Sequence, residues 1–303
     1  MNSFSFNRFF KTLRWVLGVN FRKLLMWTVG SVLAVFMGEM VFLKLGGFQD
    51  PYLLIRSYAM FGTVIFMLVS LIMVSSIVSS VNEKRKREAF LMLPSSNMEK
   101  YLSLMLYTTV ICTLCVFLAI ALGDSLRMAW FAVSGEYYGT ISVTLKHAEE
   151  HTGETYYWWS SAVPQLLDNL LSSFKANISG NDFHSTFFRL LQAEVFLGFL
   201  FWIHSLYTIG GTLLRKYSFV ATSVFLILCM VLLASFIKHF DLMLFRSEWD
   251  GDKYIAQEVG AMGYIMAVAL PLFSAFNYWA SYRIFKGFQL ITNKWINYDI
   301  LKR

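Results

Sequence analysis

NEKRKREAFLMLPSSNMEK, residues Asn82 to Lys100, lies between two apolar runs long enough to cross a bilayer and is therefore a membrane-flanked loop. Lys84, Arg85, Lys86 and Arg87 form the densest basic cluster of the chain. Phe90-Leu91-Met92-Leu93 follows, too short to span and too apolar for a free loop, so another surface should cover it. Pro94 cannot continue a helix, and Ser96-Asn97-Met98-Glu99 has the S-x-x-E spacing in which each side chain caps the other's backbone N–H. The stretch reads as short helix, break, new helix, and its build is that of a docking element.

Outward from this loop, the 303 residues are 57% hydrophobic and 15% charged, against about 25% charged in ordinary soluble domains. Six runs meet the requirement of about 20 apolar residues for a hydrocarbon core of about 30 Å: 24–43, 57–78, 101–122, 190–210, 217–237 and 261–282. An all-α integral membrane fold, a bundle of six transmembrane helices, follows. Residues 4–23 carry five basic residues and no small-residue cleavage site, so the first span is expected to be retained. Placing both termini, the 82–100 loop and Arg215-Lys216 on one side gathers 17 basic and four acidic residues there, against nine basic and thirteen acidic on the other, with Glu39 and Glu194 inside spans. That asymmetry predicts cytoplasmic termini and a plasma (inner) membrane location. The net charge of +7 is accounted for by topology and anionic lipid, and no interleaved basic and aromatic pattern points to nucleic acid.

In residues 1–23, Asn7, Lys11, Arg14, Gly18 and Arg22 recur at helical spacing opposite a Phe- and Leu-rich face, which predicts an amphipathic helix lying in the interface. A disordered basic tail is the competing reading. Gly30, Ala34 and Gly38 form a small-residue ridge on the first span, a candidate helix-packing seam. Glu39 in the first span and Glu194 in the fourth fall about 22 Å and about 6 Å along their helices, both in the outer third, so one polar cavity could serve both. With His204 they are the intramembrane polar residues, and each carboxyl must face protein or water. A transport role and a structural hydrogen bond between helices both satisfy that demand. Cys112, Cys115 and Cys229 lie within spans and read as small packing residues, the C-x-x-C at 112–115 included.

Residues 123–189 form the longest stretch outside the spans, read as a small extracytoplasmic cap with a strand near 137–145 and an aromatic segment at Tyr156-Tyr157-Trp158-Trp159. His147, Glu150 and His151 have the H-x-x-E-H spacing of an inverted zinc-protease motif. Thr152-Gly153 follow at once, and a solvated loop with no metal is the reading adopted; metal analysis of the purified protein would decide it. Gly210-Gly211 should allow a tight turn ahead of the basic pair Arg215-Lys216. No G-x-x-x-x-G-K-[ST], G-x-S-x-G or H-E-x-x-H occurs, so no catalytic residue is assigned and any nucleotide must be held by a partner.

Taken together, Glu88-Ala89-Phe90-Leu91-Met92-Leu93-Pro94-Ser95-Ser96, the six spans and the amphipathic lead-in resemble the membrane-spanning permease subunits of type-2 ATP-binding-cassette exporters. The resemblance implies that residues 82–96 hold a cytoplasmic coupling helix, with Arg87, Glu88, Phe90, Leu91, Met92, Leu93 and Pro94 docking a separate ATPase and Arg215 and Lys216 making a second contact. It implies ATP and Mg on that ATPase, none on this chain, and a homo- or heterodimer of permeases in membrane lipid. Transport without chemistry in this chain is the expected function. The alternative is a membrane anchor or assembly protein that docks a cytoplasmic partner and moves nothing; a zinc-dependent enzyme is a third.

Overall fold

The computed structural model describes residues 4–45, 51–81, 83–134, 140–142, 155–157, 160–171, 183–214, 216–240, 242–250 and 253–287. The chain is mostly helical: α1 (Phe6–Leu45), α2 (Pro51–Ser75), a 3-10 turn (Ser79–Val81), α3 (Lys84–Met92), α4 (Asn97–Leu106), a π turn (Tyr107–Ile111), α5 (Cys112–Ser134), α6 (Val163–Leu171), α7 (Phe183–Leu213), α8 (Ser218–His239) and α9 (Ala261–Lys286). Among the described residues there are also two antiparallel strand pairs, β1 (Thr140–Ser142) with β2 (Thr155–Tyr157), and β3 (Phe245–Asp250) with β4 (Lys253–Val259). Among the described residues six helices are long and apolar enough to cross a membrane, and the protein is a multi-pass membrane protein.

Two compact units divide the chain, one of residues 1–19, 71–109 and 173–303, the other of residues 20–70 and 110–172. In the second unit, Val35 of α1, Leu54, Ile55, Tyr58 and Ala59 of α2, Val116 and Ile120 of α5 and Leu166 of α6 form a continuous buried cluster. Gly123 lets α5 approach α1, since a Cβ there would stand 2.8 Å from Val35. Leu166 reaches Gly62 in the same way, so the short amphipathic α6 is sunk into this core by its apolar face. In the first unit α7 packs along α9, and the β3–β4 hairpin feeds α9 through Gly260, whose N–H donates to the Leu244 carbonyl at 3.1 Å.

Several expectations change. The lead-in and first span belong to one helix of 40 residues, Phe6–Leu45, where a break between them was expected. Its polar stripe, Asn7, Lys11, Arg14, Gly18 and Arg22, is exposed as the periodicity requires, and Leu13 and Val16 are buried. Of the small-residue ridge, only Gly38 meets a neighbour, the Phe61 ring 2.7 Å from where its Cβ would stand; Gly30 faces open space and Ala34 is exposed. Gly210 and Gly211 do not make the turn. They stay inside α7, where their lack of a Cβ admits the Thr222 hydroxyl and the Ser75 backbone. The reversal into α8 passes instead through Tyr217, whose φ of 55° is a left-handed conformation rarely adopted by a bulky residue.

The helix of the third span also runs on to Ser134, past the Leu122 boundary, and carries Asp124 and Arg127 out of the supposed cap. His147, Glu150, His151, Trp158 and Trp159 lie outside the described residues, as does Arg215.

Candidate docking site and intramembrane polar clusters

Helix α3 begins at Lys84 after an extended Glu83 and stops where Pro94 forbids a further turn. Arg87 and Phe90, three residues apart, turn inward, 3% and 0% exposed, while Lys84, Arg85, Ala89 and Met92 are exposed, Met92 at 82%. The Phe90 ring lies 5.7 Å from Trp15 of α1 and 6.4 Å from Phe285 of α9. Covering a Phe in this way is worth about 1.5 to 3 kcal/mol. Phe90 and Arg87, both expected to dock a partner, are thus covered by the chain itself, while Met92 stays open. Glu88, Leu91 and Leu93 are half-buried, and Pro94 and Lys216 are exposed.

Beyond the break, the capping box forms as its spacing demands: Glu99 N–H donates to Ser96 Oγ at 3.2 Å, and Ser96 N–H to Glu99 Oε2 at 2.8 Å. Glu99 accepts in addition from the Ser5 N–H at 2.8 Å and from Arg8 Nη2 at 3.0 Å. This joins the first turn of α1 to the first turn of α4. Lys100 Nζ donates to the Leu91 carbonyl at 2.8 Å, setting a cation where the C-terminal dipole of α3 is negative. The S-x-x-E pattern signalled the cap; nothing local signalled Arg8 as its partner.

Within the same unit, polar side chains line the packed faces of α4, α7 and α9. His204 shares its ring nitrogens between the Thr109 hydroxyl at 3.0 Å and the Tyr278 hydroxyl at 2.6 Å. Asn277 donates to Ser205 at 3.0 Å, and Ser281 joins Tyr101 at 3.1 Å to Thr212 at 3.2 Å. Thr109 belongs to the π turn, a geometry that often marks functional positions. Glu194 is exposed on α7 beside a groove of about 550 Å³ that Pro271 and Tyr278 also line. A larger apolar groove of about 710 Å³ runs between α7, α8 and α9, with Phe199, Trp202, Phe225 and Phe273 in its walls.

The other unit contains a buried charge cluster. Arg127, wholly buried, donates from Nε to Glu39 Oε2 and to Asp124 Oδ1, each at 3.1 Å, and from Nη2 to Asp124 Oδ1 and to the Ser160 carbonyl at 2.7 Å. Its guanidinium stands 4.8 Å from the Tyr58 ring centre. Asp124 Oδ2 accepts from Ser161 Oγ at 2.6 Å and from the Ala162 N–H at 3.0 Å, so the start of α6 hangs from this carboxylate. Glu39 and Glu194 belong to different units, and each is described within its own. Asp124 and Arg127, three residues apart, were legible as a helical ion pair only if the third span were extended past Leu122.

Among the described residues no group of three His, Cys, Asp or Glu side chains could hold a metal ion, and the three cysteines are free thiols. No protein-family model, curated protein or solved structure matches the chain.

Proposed function

We propose that the chain is the membrane-spanning subunit of an ATP-binding-cassette exporter, seated in the plasma (inner) membrane with both termini in the cytoplasm, where α3 docks a separate ATPase. The observation that carries this reading is the two-faced build of α3: one face fixed by Phe90 and Arg87, the other presenting Lys84, Arg85, Ala89 and Met92 on a segment between two spans. A helix laid into a partner's groove needs such a face, with an apolar centre and a charged rim. Firm seating matters equally, because a push on α3 reaches α1 through Trp15 and α9 through Phe285. The chain itself catalyses nothing; ATP and Mg are held by the ATPase, and a second permease, identical or related, completes the translocation path.

The test replaces Met92 with Asp and Lys84 and Arg85 with Glu, and measures the ATPase that co-purifies at matched membrane expression. Truncating an exposed Met at an interface forfeits about 1.5 kcal/mol or more, so recovery should fall at least about tenfold. The Phe90→Ala protein should be poorly folded instead of selectively uncoupled. Undiminished ATPase recovery with the triple variant overturns docking through α3; recovery of a partner without a nucleotide site favours the anchor.

A further inference from the structure

Glu194 and the groove between α7 and α9 take no part in the docking of α3 and stand independently of it. The residue lies seven positions into the apolar stretch that starts at Phe187, about 10 Å along the helix, and it is exposed. Among the described residues nothing donates a hydrogen bond to its carboxyl or pairs with it, Arg189 on the same helix included. A carboxyl within a span needs protein, water or a cation beside it. Three contacts fix what lies across from it: Gly198 against Leu270, Ser205 bonded to Asn277 at 3.0 Å, and His204 bonded to Tyr278 at 2.6 Å, pairs 72, 72 and 74 positions apart. The helices therefore run parallel and in step, and the same offset sets Glu194 level with residues 266–268, Ala267 at their centre. At Ala267 α9 lacks a helical hydrogen bond, because Pro271, four residues on, has no N–H to give its carbonyl. Pro271 lines the same groove as Glu194, and so does Ser274, whose hydroxyl is committed to the Leu270 carbonyl at 2.7 Å.

We propose that this groove binds a lipophilic amine, with the ammonium between the Glu194 carboxylate and the Ala267 carbonyl and the apolar tail along Leu197, Phe201 and Ala275. Charge and shape select that class. Both acceptors are oxygens without a donor of their own, so they take a cation that carries N–H groups, and an ammonium is one. A bare metal ion is short of ligands there: calcium takes about six to eight oxygens, and no group of three His, Cys, Asp or Glu stands together among the described residues. The groove, about 550 Å³ and walled mostly by apolar side chains, has the size that holds a small ligand. An aminophospholipid would bring its phosphate toward the same carboxylate, and like charges at that range repel, so the amine is one without an anion. Leu190 and Phe201 of the groove are exposed, which leaves it open sideways, and the amine enters from the bilayer.

The experiment measures radiolabelled dodecylamine bound to the full-length protein in phosphatidylcholine nanodiscs, with protein-free discs subtracted. Binding should be saturable. Glu194→Gln keeps the shape of the side chain and removes its charge, and should weaken binding at least about tenfold. Its thermal midpoint should match the parent's, which separates lost binding from lost folding. Glu258→Gln, exposed on β4 and outside the groove, should bind as the parent does. Pro271→Ala returns an N–H to the Ala267 carbonyl and should weaken binding several-fold. Dodecanol, with the same chain and no charge, should compete poorly, and phosphatidylethanolamine added to the discs should leave binding unchanged. Undiminished binding by Glu194→Gln or by Pro271→Ala, dodecanol competing as well as the amine, or binding lost to phosphatidylethanolamine overturns the proposal. So does a Glu194→Cys protein, its three native cysteines replaced by Ala, that crosslinks to a second copy in good yield, since the groove is then an interface between chains.

Discussion

Glu99 and Glu39 are both almost wholly buried and both meet an arginine, yet the chain satisfies them by opposite means. Glu99 sits at the start of a helix, where the backbone still has unpaired N–H groups, and it collects two of them, from Ser5 and Ser96, besides Arg8. Glu39 lies within a long helix whose N–H groups are already committed, so its donor must be a side chain from another helix, Arg127 of α5. A carboxylate at a helix end is therefore a local structure, and one inside a span is a tertiary one.

The largest expected effect tests the tertiary half of that contrast. Arg127→Met fills a similar volume but leaves two carboxyls buried without their cation, and should cost about 3 to 5 kcal/mol. A collapse in membrane yield and in the thermal midpoint of the purified protein checks it; a midpoint close to the parent's means that the cluster is not ionic. Amide replacement should then separate the two glutamates. Glu99→Gln weakens the bonds from Arg8 and the two N–H groups and should cost about 1 to 2 kcal/mol, whereas Glu39→Gln touches one described hydrogen bond, from Arg127 Nε, and should cost less, about 0.5 kcal/mol. Equal losses in thermal midpoint would erase the distinction. The smallest effect is Arg8→Lys, which keeps the charge but loses the fork that spans Glu99; with the Arg8 side chain 29% exposed, about 0.5 kcal/mol is expected, shrinking in high salt.

The same contrast explains how much the amino-acid sequence discloses. Helix starts and stops obey short-range rules, so α3, the Pro94 break and the Ser96–Glu99 box are legible in one stretch, as are six apolar spans. The inward turn of Phe90 was not, because the neighbours that claim it, Trp15 and Phe285, are 75 and 195 positions away. Hydropathy cut the third span at Leu122 because it counts Asp124 and Arg127 as two penalties, while in the folded chain they offset each other and the helix continues. The glycine pair at 210–211 was read as freedom to turn, and in the structure it is room for neighbours to come close.

The π turn at Tyr107–Ile111 works as a phase adjuster between α4 and α5. Upstream of it, Glu99, Lys100, Tyr101, Ser103 and Leu104 are buried; downstream, Cys112, Val116, Ala119, Ile120, Gly123, Asp124, Arg127 and Phe131 are. Each residue turns an α-helix by about 100°, so the length of this stretch sets the angular offset between the two faces. Losing one residue there would shorten the span by only about 1.5 Å and leave its hydropathy nearly unchanged. It would also change the helical phase of the positions that follow by about a quarter of a turn. In this protein a one-residue deletion within the turn is a rotation as much as a shortening.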